Sequence, residues 1–165
     1  MRAKRDMPFR VMFVCFGNIC RSPMAEALFL DAVRAAGRED DFEAASAATG
    51  CEEGRPVHPG TVRVLAEHGK KCPERRSVLL RAEDAEKYDL FVGMDGRNLR
   101  AMRRILGEDA AGKIHALMDF TPSPREVADP WETGDFDATY RDVSEGVAAL
   151  IDKLIGEEKD ETKDQ

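Results

Sequence analysis

Residues 10–23 read RVMFVCFGNICRSP, and the character of the chain changes twice along them. Arg10 to Cys15 is apolar and β-rich, the pattern of a buried strand. Phe16-Gly17-Asn18 has turn composition. Pro23 falls where a first helical turn tolerates it, and the following MAEALFLDAVRAAG carries helical periodicity to a terminating Gly37. Strand, tight turn and helix in that order place a helix N-terminus beside the end of a strand. Such a terminus offers unpaired N–H groups and partial positive charge, and a loop curling into it forms a nest for a tetrahedral oxyanion.

The side chains suit that site. Gly17 permits close approach of backbone to a ligand, and Asn18 tolerates the left-handed conformation that keeps the curl. Arg21 opens the helix, where its planar fork can take two oxygens of one phosphate. Cys15 ends the strand with its sulfur directed into the same cradle. Helix N-termini and neighbouring cations favour thiolate over thiol, so a reactive nucleophile is expected. Ser22 is placed to donate its hydroxyl proton to that sulfur.

Working outward, strands and helices alternate. Phe42 to Ser46 is a weaker strand candidate, and Pro59 to Gly69 reads as a helix with Val62, Leu65 and Ala66 on one face. Ser77 to Leu80 is a short apolar run, and Ala82 to Lys87 a helical turn or two. Tyr88 to Met94 is a strand, Asn98 to Leu106 an Arg-rich helix and Lys113 to Met118 another strand. Asp119 to Thr133 is Pro-rich and irregular, and Asp135 to Ile155 closes as a long helix. The pattern predicts a single three-layer α/β domain, a central four-stranded parallel sheet flanked by helices, with a phosphate-binding loop after the first strand. The domain is expected over residues 9–155, with a flexible N-terminal extension over 1–8 and an acidic, disordered tail over 156–165.

Composition narrows the function classes. In 165 residues, 25 Lys and Arg against 32 Asp and Glu give a net charge of −7, which argues against a nucleic-acid binder. No apolar run approaches the roughly 20 residues needed to span a bilayer, and no secretory signal is evident. A soluble, cytoplasmic protein without membrane insertion, monomeric or weakly dimeric, is expected. In that setting Cys15, Cys20, Cys51 and Cys72 are expected as free thiols. The cysteines contain no C-x2-C pair and His58, His68 and His115 are scattered, so no metal is expected, nor any other cofactor. Neither glycine-rich nucleotide loop, G-x4-G-K-[ST] or G-x-G-x-x-G, is present. Several carboxylates are available as a proton donor, among them Asp95, Asp119, Asp129 and Asp135.

The nonapeptide CFGNICRSP, extended through MAEALF, resembles the signature of the low-molecular-weight protein tyrosine phosphatases. Ser46-Ala47-Ala48-Thr49, HPGTVRVLAEHG at 58–69, YDLFVGMDGRNL at 88–99 and Ala128-Asp129-Pro130 resemble further family segments, so that about residues 9–155 are covered. The resemblance implies hydrolysis of phosphotyrosine on proteins through a cysteinyl-phosphate intermediate, without metal. Cys15 would be the nucleophile, Arg21 the phosphate clamp and Asp129 the general acid and base. Phe16, Gly17, Asn18, Ile19, Cys20, Ser22 and Ser46 would form or support the loop. Inorganic phosphate would be product and inhibitor. It further implies that Cys20 is a redox partner able to cap Cys15 as a disulfide, that Asp95 supports the site, and that Ile19 favours aryl phosphates.

The chain also departs from that pattern. The segment after Thr49, GCEEG, is short and lacks an aromatic residue, which leaves Cys51 and Glu52, with Trp131, as the expected wall of the substrate cleft. Trp131 can stack on a phosphotyrosine ring, whereas Glu52 or Glu53 would repel acidic peptides. Glu74 stands where the family has a loop-supporting His, which predicts a less rigid loop. Tyr140 reads as helix packing. The alternatives are a thiol-dependent arsenate reductase on the same scaffold, for which Cys51 and Cys72 make an incomplete relay, and a non-catalytic phosphate-binding module.

Overall fold

The structure, a computed structural model, describes residues 7–163. Its strands are β1 (Phe9–Cys15), β2 (Phe42–Ala48), β3 (Leu90–Gly93) and β4 (Ile114–Ala116). Its helices are α1 (Arg21–Ala35), α2 (Pro59–Glu67), α3 (Gly96–Leu106), α4 (Pro130–Thr133) and α5 (Phe136–Lys163). The strands form one parallel sheet in the order β2-β1-β3-β4. This is the predicted three-layer architecture. The helical turn expected at Ala82 to Lys87 is a 3₁₀ segment, Ala82–Glu86, and another, Leu117–Phe120, replaces the end of the strand expected to run to Met118.

Period-2 alternation along β1 builds both cores. Val11, Phe13 and Cys15 belong to the cluster made with Met24, Leu28 and Phe29 of α1 and Val143, Val147 and Leu150 of α5. Met12 and Val14 join Phe91, Met102 and Leu106 on the α3 side. Each such fully buried side chain contributes about 1.5–3 kcal/mol, so the strand that ends in Cys15 is the best anchored in the sheet. β1 is flanked by the strands that follow it in opposite directions, β2 and β3. That arrangement opens a crevice at its carboxyl end, between the loop after β1 and the turn after β3.

The last helix differs from expectation. It was to end at Ile155, with residues 156–165 as a disordered tail, yet α5 continues to Lys163. A lone Gly156 does not stop a helix when Glu, Lys and Asp follow it with adequate propensity, and Lys153 pairs with Glu157 one turn on at 3.7 Å. Residues 164–165, like residues 1–6 of the expected N-terminal extension, lie outside the described residues.

Candidate active site

The loop at residues 16–20 leaves β1 and enters α1 with Arg21 as the first helical residue. Asn18 holds the left-handed conformation expected of it, at φ 55°. Its N–H points back to Cys15 Sγ at 3.3 Å, and among the described residues the N–H groups of Gly17, Ile19 and Cys20 have no acceptor. These are the donors an oxyanion nest requires. The start of α2 braces the loop from outside. His58 N–H donates to Ile19 O at 2.8 Å, and Thr61 Oγ1 donates to Cys20 O at 3.1 Å.

Behind the loop, a hydrogen-bond network fixes the direction of each proton. Arg75 Nη2 and Val78 N–H both donate to Asn18 Oδ1, at 2.9 and 3.1 Å. The amide nitrogen of Asn18 therefore faces Ser22 Oγ at 2.8 Å and Ser46 Oγ at 2.9 Å, and it can only donate. Ser22 accepts there, so its own proton is available to Cys15 Sγ, 3.0 Å away. Ser46 accepts from Asn18 and Arg75 and donates to Glu26 Oε1 at 2.5 Å. Glu26 closes the network with an ion pair to Arg75.

Glu74 thus does not leave the loop without hydrogen-bond support. The next residue, Arg75, reaches under it and supplies hydrogen bonds to Asn18 and Ser46. Neither Arg75 nor Glu26 was singled out in the sequence. The available signal was Glu26 itself, a carboxylate on the same face of α1 as buried Phe29 and Val33, and buried charge demands a partner.

Arg21 is almost fully buried, with 3% of its side chain exposed. Both Nη1 protons are committed, to Asp95 Oδ2 at 2.8 Å and to the Val127 carbonyl at 2.9 Å. The Nε–Nη2 edge, approached by Asp129 Oδ2 at 3.6 Å, is the side that can take two oxygens of one anion. Burial works against its charge, but Cys15, Asp95 and Asp129 outweigh it and the guanidinium is held charged above the usual arginine value. For Asp95 burial acts to raise the carboxyl, yet the bonds from Arg21 and from the N–H groups of Asn98 and Arg97 hold it below the ordinary range. Asp95 is also the N-cap of α3, in a reciprocal capping box with Asn98.

Asp129 ends an irregular segment, as expected, but the residues after it are helical. It caps the short helix α4, with Oδ1 accepting from Trp131 N–H at 3.0 Å, which directs Oδ2 toward Arg21. Cys15, Arg21 and Asp129 line one pocket of about 190 Å³ with Phe16, Gly17, Ile19, Cys20, Cys51, Arg55 and Trp131. Phe16 (54% exposed) and Trp131 (61%) stand open at its mouth, a pair of aromatic walls for a flat ring. Gly50 crosses so close to the Phe16 ring that a Cβ there would lie 2.5 Å from it.

Glu52 is not part of this lining. Arg55 takes the place expected of it, with its guanidinium 5.6 Å from the Trp131 ring centre. Glu53 is drawn away by Arg81 at 2.8 Å. The acidic cleft wall expected from the short GCEEG segment is thus replaced by a basic one, because the chain turns there and carries Arg55 inward.

All four cysteines are free thiols. Cys20 shares the pocket with Cys15, and burial, reinforced by Cys15 and Asp129, pushes its thiol up to about 12. Cys51 also lines the pocket, on a left-handed residue at φ 67°. Cys72 lines a separate groove with Pro73 and Arg75. Tyr140 is buried and stacks on His68 with ring centres 3.8 Å apart, as a packing residue does. Among the described residues no group of three or more His, Cys, Asp or Glu side chains gathers to hold a metal ion, and no helix is long and apolar enough to cross a membrane.

A parallel α/β domain whose first strand delivers a cysteine and whose first helix delivers an arginine to one anion cradle defines a class of phosphate-handling proteins. Comparison with known proteins makes it specific. Residues 10–161 match the family model for low molecular weight phosphotyrosine protein phosphatases. The chain is 40% identical over 134 residues to a low molecular weight protein-tyrosine-phosphatase of Streptomyces coelicolor, covering 78% of this chain and 81% of that one. It is 32% identical over 152 residues to YfkJ of Bacillus subtilis, another such phosphatase, covering 90% and 97%. The crystal structure of YfkJ superposes with a TM-score of 0.89 over 93% of this chain and 98% of that one. A protein tyrosine phosphatase from Entamoeba histolytica, 28% identical, superposes at 0.83 over 91% and 99%.

The chain belongs to the low molecular weight phosphotyrosine protein phosphatase family. It is accordingly a cysteine-dependent hydrolase of the protein tyrosine phosphatase class.

Proposed function

We propose that this chain removes phosphate from tyrosine side chains of proteins by two in-line displacements at Cys15. In the first, Cys15 Sγ attacks phosphorus, the S–P bond forms as the P–O(aryl) bond breaks, and Asp129 delivers its proton to the departing phenolate oxygen. Arg21 and the loop N–H groups hold the equatorial oxygens, where charge redistributes in the transition state. In the second, a water attacks phosphorus, Asp129 takes up its proton, and the S–P bond breaks to return the Cys15 thiolate and inorganic phosphate. Ser22, whose proton is directed to the sulfur by Asn18, stabilises Cys15 both as attacking and as leaving group.

The single observation that carries this reading is the convergence of three groups on one small pocket: the cysteine sulfur, a guanidinium whose Nη1 is tied off so that its other edge serves the ligand, and a carboxylate 3.6 Å from that guanidinium. The aromatic mouth formed by Phe16 and Trp131 suits an aryl ester. Rapid acid quench during turnover, followed by mass spectrometry of the peptide containing Cys15, tests it. A phosphoryl adduct on Cys15 that accumulates to a larger fraction in Asp129→Asn with an activated aryl phosphate is the expected result. Turnover with no adduct on Cys15 would refute the mechanism.

A further inference from the structure

On the far side of the Asp129 loop from the aryl pocket, a groove of about 850 Å³ runs along α3. It shares Phe16, Arg21, Asp129 and Trp131 with the aryl pocket and continues past Arg97, Arg100 and Arg104. These three arginines lie at spacings of three and four residues and so occupy one face of the helix. All three are exposed, while Ala101, Met102 and Leu106 of the same helix are buried.

Among the described residues none of the three forms an ion pair. Several other arginines of this acidic chain form ion pairs: Arg63 meets Glu67, Arg81 meets Glu53, and Arg125 meets Asp142 and Glu145. Arg34, Arg55, Arg76, Arg103 and Arg141, like these three, form none among the described residues. Most carboxylates bordering the groove are already engaged. Asp95 and Asp129 face Arg21, and Glu126 accepts from Gly96 N–H at 2.7 Å. Glu132, on the first turn of α4, is the remaining acidic side chain of the lining.

We infer that this arginine face of α3 is a docking surface for acidic residues flanking the phosphotyrosine of a protein substrate. The inference rests on the phosphatase reading, which supplies the register: a phosphotyrosine seated between Phe16 and Trp131 leaves its chain to cross the mouth into this groove. Charge complementarity selects the occupant. Unneutralised guanidinium groups spaced along a groove offer carboxylates bidentate partners and steer an acidic chain onto an otherwise repelling surface. Arg55, at the opposite lip of the aryl pocket, extends the same charge to the other side of the phosphotyrosine.

The test pairs a phosphotyrosyl peptide carrying Asp and Glu on both flanks with the same peptide carrying Asn and Gln. Their kcat/KM values are compared in wild type and in Arg97→Gln/Arg100→Gln/Arg104→Gln, with p-nitrophenyl phosphate as a substrate too small to reach α3. The expected result is a wild-type preference for the acidic peptide of about tenfold at low salt, from three exposed contacts, fading as salt is added. In the triple variant the preference falls to within about twofold while p-nitrophenyl phosphate turnover is kept. Exposed Arg to Gln changes retain helix propensity, and circular dichroism confirms the fold.

Binding of fluorescent acidic and neutral phosphopeptides to Cys15→Ser, with and without the α3 changes, reads docking independently of catalysis. Equal affinity and rate for the two peptides in the wild type, or a preference that survives the triple change, overturns the inference. A wild type that turns over neither peptide nor p-nitrophenyl phosphate overturns the phosphatase reading itself, and the inference with it.

Discussion

Replacing Arg75 with Met keeps the length and most of the apolar stem of the side chain and removes the guanidinium on which the loop network depends. Five acceptors lose a donor: Glu26 Oε1, Ser46 Oγ, Ser46 O, Asn18 Oδ1 and the exposed Arg76 O. Glu26 suffers most, because its side chain is 12% exposed and retains only the Ser46 hydroxyl as a hydrogen-bond donor. Breaking a buried ion pair from one side costs about 3–5 kcal/mol, and partial exposure of both partners brings this toward about 3 kcal/mol. For a domain of this size that is a fall of roughly 6–12 °C in Tm.

The activity consequence of Arg75→Met is separate. Asn18 keeps Val78 N–H as a donor but loses one of the two contacts that fix its amide, so the Ser22 proton is held on Cys15 less firmly. We expect kcat for p-nitrophenyl phosphate to fall about tenfold, the equivalent of about 1.4 kcal/mol, and iodoacetate alkylation of Cys15 at fixed pH to slow in parallel. Arg75→Lys, whose ammonium keeps a donor near the same reach, should recover part of both. In a double-mutant cycle Glu26→Gln and Arg75→Met should be strongly non-additive. A destabilised Arg75→Met enzyme with unchanged kcat and alkylation rate would refute the claim that the network reaches the sulfur. An unchanged Tm would refute the energetic argument.

Three further outcomes follow from the same geometry. Asp129→Asn should lower kcat about 100-fold for phenyl phosphate and much less for an ester whose leaving group needs no proton; equal losses for both would contradict the general-acid role. Asp95 is held below its unfolded value, so its contribution to stability is complete above about pH 4–5 and is lost as pH falls through the folded value; acid unfolding of Asp95→Asn should lose that part of its pH dependence, while an unaltered acid limb would contradict it. Because burial pushes the Cys20 thiol up to about 12, Cys20 is protonated at neutral pH and should not be alkylated before Cys15. Mild peroxide followed by mass spectrometry should give a Cys15–Cys20 disulfide, and direct passage of Cys15 to sulfinic acid would count against that pairing.

The sequence disclosed the fold through residues whose surroundings are local. β1, the entry into α1 and the left-handed Asn18 follow from nearby apolar pattern and turn chemistry, and the strand–helix alternation suffices for a parallel sheet. What it concealed depends on distant chain. Arg75 lies 57 residues from the Asn18 it orients, and no spacing rule connects them. Arg55 enters the cleft only because the segment after Thr49 turns, so charge counted along GCEEG gave the wrong sign for the wall. Asp129 was legible as an acid beside a proline, but its aim toward Arg21 comes from capping α4, a helix too short for periodicity to reveal. The far end of α5 is hidden for the opposite reason: its polar composition reads as disorder, although Glu, Lys and Asp continue a helix already nucleated by packing.

We propose that Cys15 performs metal-independent phosphomonoester hydrolysis. Its most direct test is turnover of p-nitrophenyl phosphate in EDTA and a thiol reductant by the wild type and by Cys15→Ser. Steady hydrolysis by the wild type and none above background by the folded variant are expected. Absence of turnover by a folded wild type, or turnover that survives loss of the Cys15 sulfur, would contradict it.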